Sequence, residues 1–395
     1  MSLAILKCLA IGVIGLAVAI GKGTFLGIAA GIALIACILD KERFANFRNK
    51  TFNLTMVLFL IYVGTIAVSS MIQDNQQGLR MVMRDFEKIA PFLIMYIFIG
   101  KVPWKKAVQF GAIGFVLGVI IGEGSVFVEY FKQTGILSNR YGGIYGHPNA
   151  AGSFWELTIP FLIFLVYEYR KQISYAFPLG IILLGTFICL YLSSSRGAMM
   201  AVVAEIMTVM FIYFYRKYQL HNWLKYAVIT VLSIGIMLVL FAKCGARSYD
   251  SERILLWTAA WQMFLDYPLI GVGFSQWGDV YRASYLSPLA KEPMLPHPHN
   301  LYLFILSESG LLGFVSYFIM VGGQIKIALK NSWRIFDKEG SFLNIADMFL
   351  ILCVGMLIHN LVDVHAIHRY YLLVYFFFWG LCCLKFRNSD NINNK

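Results

Sequence analysis

Long apolar segments recur along the whole chain and alternate with short polar connections. Most of them approach the roughly 20 consecutive apolar residues that a helix needs to cross the hydrocarbon core of a membrane. The pattern predicts about twelve membrane-spanning helices, over residues 4–20, 24–39, 51–72, 89–100, 107–122, 151–167, 174–192, 198–215, 224–242, 306–325, 345–362 and 370–384. We therefore expect an all-α polytopic membrane protein, with residues 1–395 forming a single integral membrane domain.

Composition and charge support a membrane protein and also orient it. The chain is 59% hydrophobic and 14% charged, whereas a soluble domain averages roughly 45–50% apolar and about 25% charged residues. Lysine and arginine concentrate in one set of connections, such as "DKERFANFRNK", "EYRKQI" and "RKYQLHNWLK". Because cytoplasmic connections retain basic residues, both termini are predicted to be cytoplasmic and the long connection 243–305 to lie outside. The net charge of +12 then reflects topology, and nucleic acid is not expected as a partner.

Four outward-facing stretches contain polar residues that suggest chemistry. They are "NRYGGIYGHPNAAG" at 139–152, "LSSSRGAMM" at 192–200, "SERILLWTAAWQMFLDYPLIGVG" at 251–273 and "LPHPHNLYLFILSESGLLG" at 295–313. The first three contain Arg140, Arg196 and Arg253, and a guanidinium group binds phosphate oxygens through two parallel hydrogen bonds. For each arginine alone, contact with a lipid headgroup or an ion pair within a loop is an equally good interpretation.

Two of these stretches are predicted to begin helices. Arg253 opens an amphipathic helix that should end at Pro268, with an apolar face made of Ile254, Trp257, Trp261 and Phe264. Asn300 is suited to cap the helix that follows it. Because the positive end of a helix dipole disfavours an imidazolium ion, His299 should stay neutral and be able to accept a proton from a hydroxyl group.

The other histidines and the polar residues within apolar segments have a plainer interpretation. Hydrogen bonding to loop backbone is the expected role of His147, His297, His359, His365 and His368. Polar residues within spans either mark a pathway or pack between helices. Both interpretations apply to Glu156, Glu205, Asp347 and the pair His359–Asn360.

No sequence feature predicts a metal ion or another cofactor. The chain contains no D-x-D, P-loop, G-x-S-x-G or H-E-x-x-H motif, so ATP-driven chemistry has no basis. Two outward D-x-E pairs, Asp85/Glu87 and Asp250/Glu252, lie beside arginines, and ion pairing explains them more simply than a divalent metal does. An outward-facing enzyme would draw its energy from the substrate, and a diphosphate leaving group held by arginines supplies that energy.

Three motifs carry a resemblance to a known family. The chain contains "SSSRGA", then "SERILLW" with "DYPLIGVG", then "HPHNLYLFILSESGLLG", and in these it resembles the O-antigen ligase and polymerase superfamily of bacterial inner membranes. The resemblance covers mainly residues 139–320. It implies a twelve-span fold similar to the C-type glycosyltransferases, with one large periplasmic loop at 243–305 whose helices carry part of the active site.

The resemblance also implies roles for individual residues. Arg196 and Arg253 would bind the diphosphate of an undecaprenyl-linked glycan, with Arg140 as a weaker match. His299 would activate the acceptor hydroxyl in a transfer that needs no metal and inverts the anomeric centre. The supporting residues, chosen because they adjoin His299 or Arg196, are Asn300, His297 and Ser195.

Several functions stay open within and beyond this family. A ligase moves the finished glycan onto lipid A–core, a polymerase moves the growing chain onto another lipid-linked repeat, and a third relative transfers glycans to protein hydroxyls. The compact length and the intact S-R-G-A and H-N motifs favour a ligase. A twelve-span transporter would predict two similar halves, and a non-catalytic scaffold would not need arginines and a histidine in three separate motifs. The expected partners are therefore the lipid-linked glycan, the lipid A–core acceptor and membrane lipids.

Overall fold

The computed structural model describes residues 2–133, 135–136, 139–218, 249–365 and 369–390, and every regular element within these ranges is helical. The helices are α1 (Leu3–Ile20), α2 (Gly23–Leu39), α3 (Lys50–Ile72), α4 (Gln76–Lys88), α5 (Ala90–Phe98), α6 (Trp104–Lys132), α7 (Pro148–Glu168), α8 (Ile173–Ser193), α9 (Arg196–Tyr218), α10 (Tyr249–Asp266), α11 (Trp277–Val280), α12 (Leu301–Glu339), α13 (Ile345–His359) and α14 (Arg369–Asp390). Among the described residues, α1, α3, α6, α7, α8, α9, α12 and α14 contain the eight stretches that are long and apolar enough to cross a membrane. The protein is therefore a polytopic helical membrane protein, as its sequence predicts.

All but two of the predicted spans correspond to one of these helices. The span predicted at 224–242 lies outside the described residues. The span predicted at 89–100 is only the nine-residue helix α5, which is too short to cross a membrane. Pro91 occupies the first turn of α5, and proline favours a helix start over a helix interior. The chain therefore begins a new helix at this point instead of extending α4.

Two helices continue beyond the ends that the hydropathy pattern predicts. Helix α6 runs on to Lys132, and α12 includes the basic stretch after residue 325 that was predicted to be a cytoplasmic connection. Lysine, arginine and glutamate are good helix formers, so loss of apolar character does not end a helix. Helix α12 ends only at Gly340, whose φ of 62° gives the left-handed cap typical of glycine.

Helix α12 is interrupted at Gly310, where the backbone adopts φ 61° and ψ −164°. The loop that follows α10 crosses the helix at this kink. Backbone N–H groups of Leu311 and Val272 donate to the carbonyl oxygens of Pro268 and Ser307, both at 2.8 Å. The carboxylate of Glu308 accepts the N–H of Trp277 at 3.0 Å. The motifs "DYPLIGVG" and "SESGLLG" therefore contact each other where the loop crosses the kinked helix.

Replacing Gly310 with alanine is expected to destabilise the protein. A Cβ at this position would lie 2.3 Å from the carbonyl carbon of Leu269, and a left-handed φ alone costs an L residue about 1–2 kcal/mol. Thermal unfolding in detergent should show a lower Tm for Gly310→Ala. Gly322→Ala is the matched control, because the same helix has open space around Gly322. Equal Tm values for the two variants would contradict a structural role for the kink.

Three helices form the buried centre of the bundle. Almost all of α7, α13 and α14 is buried against other helices. These helices contribute Glu156, His359 and Tyr371 to the interior. Helices α7, α9 and α12 begin at the same end of the bundle, which we call the site end, and α13 ends there. The candidate residues identified in the sequence lie at this end.

Candidate active site

Asp363, in the connection between α13 and α14, is the centre of a hydrogen-bonded cluster at the site end. Its Oδ1 lies 3.0 Å from Nδ1 of His299 and accepts the N–H of Val364 at 2.9 Å. Its Oδ2 lies 2.9 Å from Nε2 of His365 and accepts Nδ2–H of Asn149 at 3.2 Å. Both carboxylate oxygens therefore have partners, although the side chain is only 7% exposed.

The histidines around Asp363 keep its carboxylate ionised. Burial alone would raise the pKa of Asp363. The charge of His365 and the hydrogen bonds from His299 and His365 outweigh burial, and the pKa of Asp363 lies well below its usual range. A negative charge therefore lies next to Nδ1 of the His299 imidazole.

His299 is positioned by the start of α12 and by the connection that bears Asp363. Asn300 caps α12, accepting the N–H groups of Tyr302 and Leu303 at 3.0 Å, as predicted. Its Nδ2 donates to the carbonyl oxygen of Leu361 at 3.0 Å. These bonds hold His299 and Asp363 on adjoining segments. His299 itself has φ 50°, a left-handed conformation that is rare outside glycine and is often found at functional sites.

The His299–Asp363 contact defines what the imidazole can do. If Nδ1 donates its hydrogen to the carboxylate, Nε2 carries the lone pair and can accept a proton. The side chain of His299 is 22% exposed, so a substrate hydroxyl has access to it. The structure adds a carboxylate that favours the positive charge His299 acquires when it takes a proton.

Arg140 joins three segments of the site end. Its Nε donates to the carbonyl oxygen of Ser193 at 3.2 Å, and its terminal nitrogen donates to Oδ1 of Asn149. Asn149 in turn contacts Asp363. Arg140 therefore ties the end of α8 and the start of α7 to the cluster around Asp363.

Arg196 is the first residue of α9 and lies between two close helix contacts. A Cβ on Gly152 would lie 2.6 Å from Cβ of Ser195, and a Cβ on Gly197 would lie 2.6 Å from Cδ2 of His359. Ser195, predicted as a supporting residue, is thus a packing contact with α7. The start of α9 is held between α7 and α13, which fixes the backbone from which Arg196 extends.

Arg253 lies on helix α10. Its positive charge acts on His359, which lies beside the start of α9. Within the described residues the helix covers Tyr249–Asp266 and so includes four residues before the predicted start. The predicted apolar face is not the buried one, because Ile254 and Trp261 are 62% and 47% exposed. Burial instead involves Leu256, Ala259, Ala260 and Met263.

Glu252 has a role that the sequence did not indicate. Its buried carboxylate accepts backbone N–H groups of Lys291 and Glu292 at 3.0–3.1 Å. It fastens a distant part of the 243–305 connection to α10. The side chain of Asp250 lies outside the described part of the chain.

Two of the histidines assigned to loop backbone contacts bind carboxylates instead. His365 contacts Asp363, and Nδ1 of His359 is hydrogen-bonded to Oε2 of Glu156. His147 does bond backbone, since its Nδ1 accepts the N–H of Asn149 at 3.2 Å as the cap of α7. The ring of His297 lies 4.5 Å from that of His299, between centroids. His368 lies outside the described residues.

Two groups of side chains at the site end have the donor types of a divalent-metal site. The first group is His297, His299 and Asp363, and the second is His359, Asp363 and His365. Within each group the ligand atoms lie within 4.8 Å of one another. Nitrogen and carboxylate ligands of this kind suit zinc and related ions. The hydrogen bonds of His299 and His359 to Asp363 and Glu156 are an alternative use of the same atoms.

Comparison with known proteins identifies the segment that contains most of this site. Residues 180–318 match the family model described as O-antigen ligase, and a search against curated proteins gave no match. The matched segment includes Arg196, Arg253 and His299, whereas Arg140 and Asp363 lie outside it. This match confirms the resemblance of the segment to the O-antigen ligase and polymerase superfamily.

Proposed function

We propose that this protein is an O-antigen ligase of a bacterial inner membrane. It transfers a glycan from undecaprenyl diphosphate to lipid A–core at the periplasmic face, completing lipopolysaccharide. The observation that carries this proposal is the His299–Asp363 pair at 3.0 Å, at the end of the bundle where Arg196 and Arg253 also lie. A base and a diphosphate-binding region in one place are what glycosyl transfer from a lipid diphosphate requires.

The proposed reaction is a single displacement. Nε2 of His299 removes the proton from the acceptor hydroxyl while the hydroxyl oxygen attacks the anomeric carbon. The bond from that carbon to the diphosphate oxygen breaks, and its electron pair leaves with undecaprenyl diphosphate. Attack from the face opposite to the leaving group inverts the anomeric centre. Asp363 orients the imidazole and stabilises the charge that it gains.

The arginines would act on the leaving group. Negative charge grows on the diphosphate as the glycosidic bond breaks, and Arg196 and Arg253 would stabilise it most in the transition state. The isoprenoid chain would lie among membrane lipids beside the helices. Arg140 is the weaker candidate for binding the diphosphate, because its guanidinium group already donates hydrogen bonds to Asn149 and Ser193.

The proposed topology places both termini in the cytoplasm and the site end in the periplasm. The basic connections identified in the sequence support it through the positive-inside rule. The 243–305 connection would then be the large periplasmic loop, with α10 and α11 forming part of the site.

We expect the transfer to be independent of divalent metals, because His299 and Asp363 together can remove the acceptor proton. Transfer by the purified protein in lipid should keep its rate after dialysis against EDTA. A control sample would receive the same treatment followed by Zn²⁺ or Mg²⁺. Loss of transfer in EDTA and recovery with Zn²⁺ would instead mean that one of the histidine–aspartate groups holds a metal during the reaction.

The experiment that tests the function is a gel of lipopolysaccharide from the host strain with this gene deleted. Bare core, together with accumulation of the lipid-linked polymer, is the expected result for a ligase. Core carrying one repeat unit would identify a polymerase. An unchanged ladder would overturn both assignments, and transfer to protein hydroxyls or transport would be the next functions to test.

A further inference from the structure

A second polar cluster extends from the site end into the interior of the bundle. Its members are almost completely buried, with exposed fractions of 0% for Glu156, 1% for His359 and 3% for Tyr371. Glu156 follows the first residue of α7 by eight positions, which places it about 12 Å along the helix at 1.5 Å per residue. The chemistry proposed above makes no use of this cluster, yet a buried carboxylate in a membrane protein needs partners and usually has a purpose.

Glu156 fixes the orientation of the His359 ring. Oε2 of Glu156 is hydrogen-bonded to Nδ1 of His359, and Oε1 accepts the hydroxyl of Tyr371 at 3.1 Å. With both oxygens engaged, the carboxylate cannot rotate without losing a buried hydrogen bond. The imidazole is therefore held with its other edge, Cδ2 and Nε2, turned toward α9.

The opposite edge of His359 supports the first turn of α9. A Cβ on Gly197 would lie 2.6 Å from Cδ2 and 2.7 Å from Nε2 of His359, so the helix backbone lies directly against the ring. A second close contact occurs lower down, where a Cβ on Gly355 would lie 2.1 Å from Oε1 of Glu205. Helix α9 is thus held against α13 at two levels, and the upper contact is next to Arg196.

The same ring also interacts by charge with the second arginine. The charge of Arg253 acts on His359, and Glu156 provides the negative charge that lies behind this histidine. A single buried unit, Glu156 with His359, therefore adjoins Arg196 by packing and Arg253 by charge.

We propose that Glu156 is a positioning residue for the diphosphate-binding arginines, and that it acts through His359. This inference rests on the proposed function, because it requires that Arg196 and Arg253 bind the diphosphate. Loss of the Glu156 carboxylate would release the His359 ring, loosen the first turn of α9 and remove a charge near Arg253. The consequence is weaker binding of the lipid diphosphate and not the loss of a catalytic group.

The test measures binding of undecaprenyl diphosphate to the full chain in lipid nanodiscs. Glu156→Gln and Gly197→Ala change different parts of the same contact, so both are expected to raise the Kd about tenfold, which is about 1.4 kcal/mol. In the transfer assay both should raise KM for the lipid-linked donor more than they lower kcat. A merely structural role would reduce the amount of folded protein without this selective change.

Two matched controls separate positioning from general damage. Glu123→Gln makes the same change at another buried carboxyl group, one that accepts a hydrogen bond from Thr186 at 2.8 Å. Gly180→Ala makes the same change in α8 at a position with open space. Both should keep the wild-type Kd, and thermal unfolding of each protein shows which variants are folded.

The outcomes distinguish this inference from the function on which it rests. If Arg196→Gln raises the Kd but folded Glu156→Gln and Gly197→Ala do not, the positioning role is overturned and the diphosphate site stands. If Arg196→Gln and Arg253→Gln also leave the Kd unchanged, the diphosphate site itself is wrong. Should Glu156→Gln fail to fold, Gly197→Ala alone decides, because it keeps every side chain of the buried cluster.

Discussion

Replacing His299 with glycine is expected to lower the rate of glycan transfer by about 10²–10⁴-fold, the usual contribution of a general base. The variant removes the imidazole proposed as the base and leaves the Asp363 carboxylate without this partner. Glycine is the informative substitution, because His299 has φ 50° and glycine adopts that conformation without strain. The helix cap at Asn300 remains, so the start of α12 should be unchanged.

The measurement is transfer of a lipid-linked glycan to the acceptor by purified protein in lipid, with binding of undecaprenyl diphosphate measured in parallel. Transfer should fall while binding of the diphosphate stays close to wild type. Added imidazole should restore part of the rate, since it can enter the space left at position 299. Near-normal transfer by His299→Gly would show that another group removes the proton.

Asp363→Asn provides the second half of this experiment. The amide keeps the size of the side chain but loses the charge that stabilises imidazolium, and it can donate to Nδ1 of His299 and so favour the unreactive tautomer. We expect a loss of transfer that added imidazole does not restore, because the imidazole at position 299 is still present. The comparison tells the base apart from the residue that orients it.

The helices were predictable because a helix that crosses a membrane needs a long run of apolar residues. Apolar length placed α1, α3, α7 and α8 within a few residues of their observed bounds. The same signal failed where a helix leaves the apolar layer and continues, as α12 does beyond residue 325. Hydropathy indicates which residues lie inside the membrane, whereas glycine, proline and capping side chains determine where a helix ends. Gly340 and Pro91 were therefore better guides than the loss of apolar residues.

The site could be predicted only in part because its residues are assembled from distant segments. His299 and the arginines stand in short motifs with recognisable chemistry. Asp363 lies 64 positions after His299, in a stretch whose own pattern shows no motif. The signal that was available is the density of "HNLVDVHAIH" at 359–368, with histidines on both sides of one aspartate. Glu156 gave no comparable signal, since a lone carboxylate within a span is equally consistent with packing.

The kink in α12 gives the "SESGLLG" motif a structural role. Gly310 admits the loop that follows α10, and Glu308 binds backbone N–H groups of that loop. The motif contributes by fixing the loop that connects α10 to His299. Its glycine is required by a close backbone approach, because a Cβ on Gly310 would lie 2.3 Å from the carbonyl carbon of Leu269.

Removing either arginine of the proposed diphosphate site is expected to have the other large effect on activity. Arg196→Gln and Arg253→Gln should each lower kcat/KM for the lipid-linked donor by about 10²–10³-fold, as loss of one oxyanion-stabilising group typically does. Arg196→Lys and Arg253→Lys should recover part of this loss, because lysine keeps the charge but lacks the planar pair of donors. If both arginines act on one diphosphate, the double variant should lose less than the product of the single losses.

Arg170→Gln is the matched control, since this exposed arginine lies just beyond the opposite end of α7 and donates to the carbonyl oxygen of Tyr167 at 2.6 Å. It should keep wild-type kinetics. The salt dependence gives an independent check, because charges in a partly buried site are screened less than exposed ones, and the loss in the glutamine variants should persist at high salt. Wild-type kinetics in both glutamine variants would mean that the diphosphate binds elsewhere, and His299 would then need a different substrate geometry to act as the base.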